Sequence, residues 1–221
     1  MNPDPYYLLP HCSNSDLSAV DKLLRPASFE FDFEDALRFG TLVDALITEM
    51  SAVNVYKRQV HDYIYRPEEM ALAYEMKKAF YRDPTCAAFM KLAECQKISV
   101  GSVQFEYGNF QFDIMMRCKW DLFMTLLKQG ADIKSTTATT RSQFEDACEH
   151  FNYYRSRVIY MLIESTLKDM LIGISKNNLG VFKIPMVRND KYWKKGLQQA
   201  NDLAFNYWMH FDGFSPWVMA A

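Results

Sequence analysis

Asp121 and the triplet Asp132-Ile133-Lys134, eleven residues further on, are the residues of this chain whose types and spacing suit chemistry. Side chains alternate across a strand, so on a strand Asp132 and Lys134 project from one face and Ile133 enters the opposite layer. A strand connection that folds Asp121 beside them brings two carboxylates and one ammonium together, with the Ile133 carbonyl as a further oxygen. Hard oxygen donors of this kind suit Mg²⁺ or Mn²⁺, which also takes substrate phosphate. There the metal polarises the phosphate and lowers the pKa of a bound water, while a lysine orients that water or stabilises developing charge. The competing reading of Asp121, Asp132 and Lys134 is a solvated salt bridge at a sheet edge. Another acid-x-lysine triplet, Glu75-Met76-Lys77, falls in a helical pattern, where residues two apart do not face each other.

Other chemistries find little support. The chain carries no GxGxxG, P-loop, GxSxG or HExxH pattern, which disfavours dinucleotide, triphosphate, serine-hydrolase and zincin chemistry. His11, His61, His150 and His210 are scattered, and Cys12, Cys86, Cys95, Cys118 and Cys148 form no C-x-x-C pair. An odd set of unspaced cysteines predicts neither a disulfide framework nor a zinc knuckle, and fits a reducing, cytoplasmic setting. Lys and Arg number 25 against 27 Asp and Glu, for a net charge of -2, so no global positive field steers the chain toward polyanions. Hydrophobic residues at 49% of 221 residues predict a real core. The start of the chain lacks a basic then apolar leader pattern, and no apolar run approaches the roughly 18 residues of a membrane span, so no membrane association is expected.

The elements that must position the acidic residues are legible from periodicity. Ser13 to Asp16 is a capping signal for a helix carrying Leu17, Val20, Leu23 and Leu24, which Pro26 stops. A second helix, from about Glu34 to Glu49, has Phe39, Val43, Leu46 and Ile47 as its apolar stripe and Asp44 on its flank. Glu68 to Tyr81 is a third, and Asp83-Pro84 opens a fourth. The period then changes. Ile98 to Tyr107 and Phe110 to Met124 read as strands joined by a turn at Gly108-Asn109. Phe110, Phe112, Ile114, Met116, Cys118 and Trp120 share one face; Gln111, Asp113, Arg117, Lys119 and Asp121 share the other. A short strand covers Ala131 to Ser135, Thr140 caps a helix, and helical spacing runs to about Leu167. Two further strands, Met170 to Ser175 and Val181 to Pro185, precede a last helix carrying Trp193, Leu197, Ala200, Ala204 and Trp208. This order predicts a mixed α/β fold: one domain, 1–221, whose mainly helical N-terminal region, residues 1–97, leads into a sheet core, 98–211, of mixed strands flanked by helices.

The order of these signals resembles the PD-(D/E)XK nuclease superfamily and, in detail, its RecE-like exonuclease branch of phage and prophage recombination enzymes. Ser13 to Pro26 looks like that branch's opening helix and Ser-Pro turn, and Leu37-Arg-Phe-Gly-Thr-Leu-Val-Asp-Ala-Leu46 like its Gly-Thr helix. Arg117-Cys-Lys-Trp-Asp121 resembles the strand with the first metal aspartate. Ala131-Asp-Ile-Lys-Ser-Thr-Thr137 resembles the strand with the second aspartate, the lysine and the following threonine turn, and Phe144 to Tyr160 the helix ending in Gln-x-x-x-Tyr.

The resemblance implies a restriction-endonuclease-like core that hydrolyses phosphodiesters of linear duplex DNA from an end with Mg²⁺ or Mn²⁺, in the cytoplasm of a bacterial or phage-infected cell. It implies metal ligation by Asp121, Asp132 and the Ile133 carbonyl, and assistance to the attacking water from Lys134. A single-strand annealing protein and further copies of the chain are the partners that go with such an enzyme. Two positions depart from the pattern. Asp44 stands where the family usually has a metal-binding histidine, and is read either as an oxygen ligand or as an ordinary helix aspartate. Ser156 stands at the glutamine position with Tyr160 retained, so strand contacts pass to Arg155 or Arg157, or those arginines cover a helix surface. Two other readings stay open: a nuclease-fold protein without catalysis that binds DNA, including single strands, or assembles with partners, and a structure-selective endonuclease.

Overall fold

A computed structural model describes residues 4–24 and 34–212. The expected turn at Pro26 and the tail 213–221 lie outside the described residues. The central element is the hairpin of β4 (Glu94–Tyr107) and β5 (Phe110–Met124), turned at Gly108 with φ +58, a conformation glycine adopts without steric cost. β6 (Gln129–Thr136) pairs antiparallel with β5; β7 (Lys168–Ser175) runs parallel to β6, and β8 (Val181–Val187) antiparallel to β7. The five strands lie in the order β4-β5-β6-β7-β8. A parallel neighbour requires a crossover, here supplied by α5 (Arg141–His150) and α6 (Tyr153–Ile163).

Helices cover both faces of this mixed sheet. On one lie α2 (Glu34–Thr48), α3 (Pro67–Arg82) and α4 (Pro84–Leu92), where Leu42, Leu46, Met76 and Phe80 pack with Ile133, Ile172 and Ile174. On the other, α6 and α7 (Lys191–Tyr207) meet the apolar face of the hairpin, with Ile159, Ala200 and Ala204 against Phe112, Ile114 and Met116. The alternation read along β5 is observed from Phe112 onward, with Phe112, Ile114, Met116, Cys118 and Trp120 buried, whereas Phe110, beside the turn, is exposed. Beyond the short β6, β5 pairs on its other edge with Cys12, just before α1 (Asn14–Leu24). Arg117 and Lys119 fasten that segment, Arg117 to the Tyr6 carbonyl at 3.1 Å and Lys119 to Asp4 at 2.8 Å.

Three features depart from the sequence reading. β4 begins at Glu94 rather than Ile98. The helical stretch after Thr140 is two helices, broken where Asn152 adopts φ +55, a left-handed conformation that asparagine tolerates better than most residues. A small antiparallel sheet of β1 (Val53–Asn54), β2 (Gln59–Val60) and β3 (Tyr63–Ile64) fills the α2 to α3 connection; its two-residue strands are too short to show a period.

Candidate functional site

The last ladder pair joining β5 to β6 at the inner end is Leu122 with Ala131. One residue further on, the Asp121 Oδ2 accepts the backbone N–H of Ile133 at 2.7 Å, so a side chain occupies the split where ladder bonding ends. On β6, Asp132 is buried. Its Oδ2 lies 2.5 Å from the Lys134 Nζ, and its Oδ1 accepts Arg157 Nη1 at 3.1 Å. Ile133 points into the opposite layer and packs with the α2 and α3 cluster, as alternation requires. Asp44 approaches from α2, half-buried; Thr48 Oγ1 lies 3.1 Å from its Oδ1 and Gln96 Nε2 donates to its Oδ2 at 3.0 Å.

Asp44, Asp121, Ile133 and Lys134 line a cleft of about 1150 Å³, whose other walls include Lys22, Tyr153, Arg155 and Lys176. Asp132 sits behind Lys134 and is not among the residues lining the cleft. The electrostatics follow from this crowding. Burial, then the charges of Asp44 and Asp132, push the Asp121 carboxyl well above the usual carboxylate range. Burial also raises Asp44, with Asp132 adding and Thr48, Lys134 and Gln96 opposing. For Asp132, burial is outweighed by Lys134 and Arg157, which hold its carboxyl low. Burial works against the Lys134 ammonium, yet Asp132 and Asp121 keep it charged.

Of the four residues expected to contact DNA, only Arg155 reaches the cleft. It is buried and fastens α6 to α1, with Nε on Asn14 Oδ1 at 2.9 Å and Nη2 on Ser18 Oγ at 2.5 Å. Arg157 corrects the expectation: it is fully buried, joined to Asp132 and, at 2.8 Å, to Asp169. Its guanidinium lies 4.8 Å from the Trp120 ring centroid and 4.4 Å from that of Tyr160. Tyr160, partly buried, packs edge-on beside Trp120. The Ser156 hydroxyl donates to the Tyr153 carbonyl at 2.8 Å within its own helix. Gln96, which the sequence reading does not single out, is held beside these acids; neither its residue type nor its spacing marks it.

Among the described residues no three His, Cys, Asp or Glu side chains form a ready-made metal cage. The donor chemistry nonetheless fits a hard dication. Asp44 and Asp121 are carboxylates in a shared cleft, each raised by burial, and the charge of Asp44 raises Asp121 further, the situation a divalent cation relieves. Mg²⁺ in particular needs only one or two carboxylates when it keeps its waters and takes a phosphate.

No protein-family profile matches the chain, and no curated protein does. Among solved structures, a candidate exonuclease from Eubacterium rectale aligns with a TM-score of 0.55 and 16% identity, over 86% of this chain and 71% of that one. This chain shares that protein's fold. A phage-related exonuclease from Haemophilus somnus 129PT aligns over 89% of this chain and 82% of its own, at 11% identity and a TM-score of 0.41. No helix among the described residues is long and apolar enough to cross a membrane.

Proposed function

We propose that this chain is a Mg²⁺- or Mn²⁺-dependent deoxyribonuclease of the RecE-like branch of the PD-(D/E)XK superfamily, digesting linear double-stranded DNA from an end during phage-type recombination or DNA processing. The observation that carries the reading is the grouping of Asp121 on the Ile133 amide, the Asp132–Lys134 pair and Asp44 at one split in the sheet. The fold shared with a candidate exonuclease supports it.

Asp44, Asp121 and the Ile133 carbonyl would hold the cation, with Asp132, whose Oδ2 is engaged by Lys134, as a further donor. When bound, the cation would supply Lewis-acid polarisation of the phosphate and a water of lowered pKa. The protein's own contribution is positioning and charge. Lys134, kept protonated by Asp132 and Asp121, donates hydrogen bonds to the attacking water and stabilises charge building on the phosphate oxygens. Arg157 anchors Asp132 from behind, so the aspartate does not follow the lysine toward substrate. Lys22, Arg155 and Lys176 give the cleft a cationic wall for the flanking phosphates. A net charge of -2 thus averages an acidic centre against basic walls.

The test is incubation with Mg²⁺ or Mn²⁺ of linear duplex DNA and, in parallel, covalently closed circular duplex. Degradation of the linear form alone, abolished by EDTA, is expected. Equal cutting of the circle would assign an endonuclease instead, and metal-sensitive DNA binding without cleavage a non-catalytic role.

A further inference from the structure

Gln96 has φ +55, and among the described residues it is the one non-glycine position within a strand with positive φ. A residue with a β-carbon adopts that region at a cost, and such conformations persist where the surroundings over-determine them, often at functional sites. Here the surroundings are the candidate site. The register pairs Cys95 with Leu122 and Lys97 with Trp120, which sets Gln96 across from Asp121. Its side chain meets α2, where Nε2 donates to Asp44 Oδ2 at 3.0 Å and to Thr48 Oγ1 at 2.8 Å. The Thr48 hydroxyl in turn shares its one proton between the Asp44 backbone carbonyl at 2.9 Å and the other carboxylate oxygen, Oδ1, at 3.1 Å.

Asp44 is therefore held at Oδ2 by the Gln96 amide and flanked at Oδ1 by the Thr48 hydroxyl, both neutral groups. A lysine or arginine in place of Gln96 would fix the carboxylate equally well but cancel its charge; an amide fixes the plane and leaves the charge for a cation. We infer that Gln96 is a positioning residue for the divalent-cation site, its left-handed backbone holding the amide that orients Asp44 in the cleft. The inference rests on the metal-dependent reading above.

A purely structural tie between β4 and α2 makes the opposite prediction for one substitution. Gln96→Gly removes the amide and also relieves the backbone. The experiment titrates Mn²⁺ by calorimetry into the native protein, Gln96→Gly, Gln96→Asn and Asp44→Asn, with thermal melts of each in EDTA. Asparagine tolerates the left-handed region but its amide is one methylene shorter. Gln96→Gly is expected to melt at or above the native temperature while Mn²⁺ affinity falls roughly 10–100-fold, the usual effect of losing an outer partner. Gln96→Asn is expected to shift affinity in the same direction, and Asp44→Asn to weaken binding at least as much. Native affinity in both Gln96 variants, whatever their melting points, overturns the inference and leaves the metal site standing. Absence of Mn²⁺ binding by the native protein overturns the metal-dependent reading and this inference with it.

Discussion

The Asp121 carboxylate accepts the Ile133 amide at 2.7 Å, one residue beyond the last β5–β6 ladder pair. A side chain thus takes the bond that a backbone carbonyl would have taken, which holds Asp121 at the mouth of the split and leaves its second oxygen for the cleft. Asparagine can still accept from Ile133, whereas alanine strands a buried N–H. Asp121→Ala should cost about 1–3 kcal/mol in urea unfolding, Asp121→Asn little or nothing, and both should lose divalent-cation binding. Equal stability of the two variants would contradict this role for the carboxylate.

Asp121 also sets a pH dependence. Its folded carboxyl titrates above the usual value of 3.8, so between 3.8 and its folded value the native state binds more protons than the unfolded chain. Stability in the absence of metal therefore falls as pH rises through that window. Asp121→Asn should flatten the corresponding region of the stability profile measured in EDTA. A slope unchanged from the native protein would show that the carboxyl is not raised.

Arg157 joins two buried carboxylates, so removing it leaves Asp169 without its cation and Asp132 with Lys134 alone. Arg157→Ala should destabilise by roughly 3–5 kcal/mol. Lys22→Ala, exposed on the cleft wall, should mainly weaken DNA binding and reduce its salt dependence. Urea unfolding and DNA titration at two salt concentrations separate these cases. A stable Arg157→Ala with weakened DNA affinity would restore Arg157 as a strand contact.

Gly130 lets β6 cross the face of Trp120, since a β-carbon there would fall within the indole ring. Gly130→Ala should lower stability by about 1–3 kcal/mol through overpacking, read as a lower thermal midpoint. Since Trp120 is the neighbour of Asp121 and also touches Arg157, reduced activity should accompany it.

The features of this architecture readable from sequence are those with a local period. Alternation along 112–120 marks the buried face of β5, and the i, i+2 spacing puts Asp132 and Lys134 on one side with Ile133 on the other. Arg157 escapes such a reading because its partners lie 25 and 12 residues away, and a helix arginine carries no mark of a distant carboxylate. Gln96 escapes it because a left-handed residue inside a strand leaves no trace in composition. The break at Asn152 is hidden by helical spacing that continues on both sides of it.

The central claim is that Asp121, Asp132 and Lys134 form a metal-dependent phosphodiesterase centre. Its most direct test is the initial rate of linear duplex degradation in Mg²⁺ or Mn²⁺ by the native protein, Asp121→Asn, Asp132→Ala and Lys134→Ala, each confirmed folded by its melt. The account predicts native activity that EDTA abolishes and losses of at least about 100-fold in all three variants, the scale of removing one electrostatic contributor to a transition state. Activity equal in all four proteins and insensitive to EDTA would contradict it.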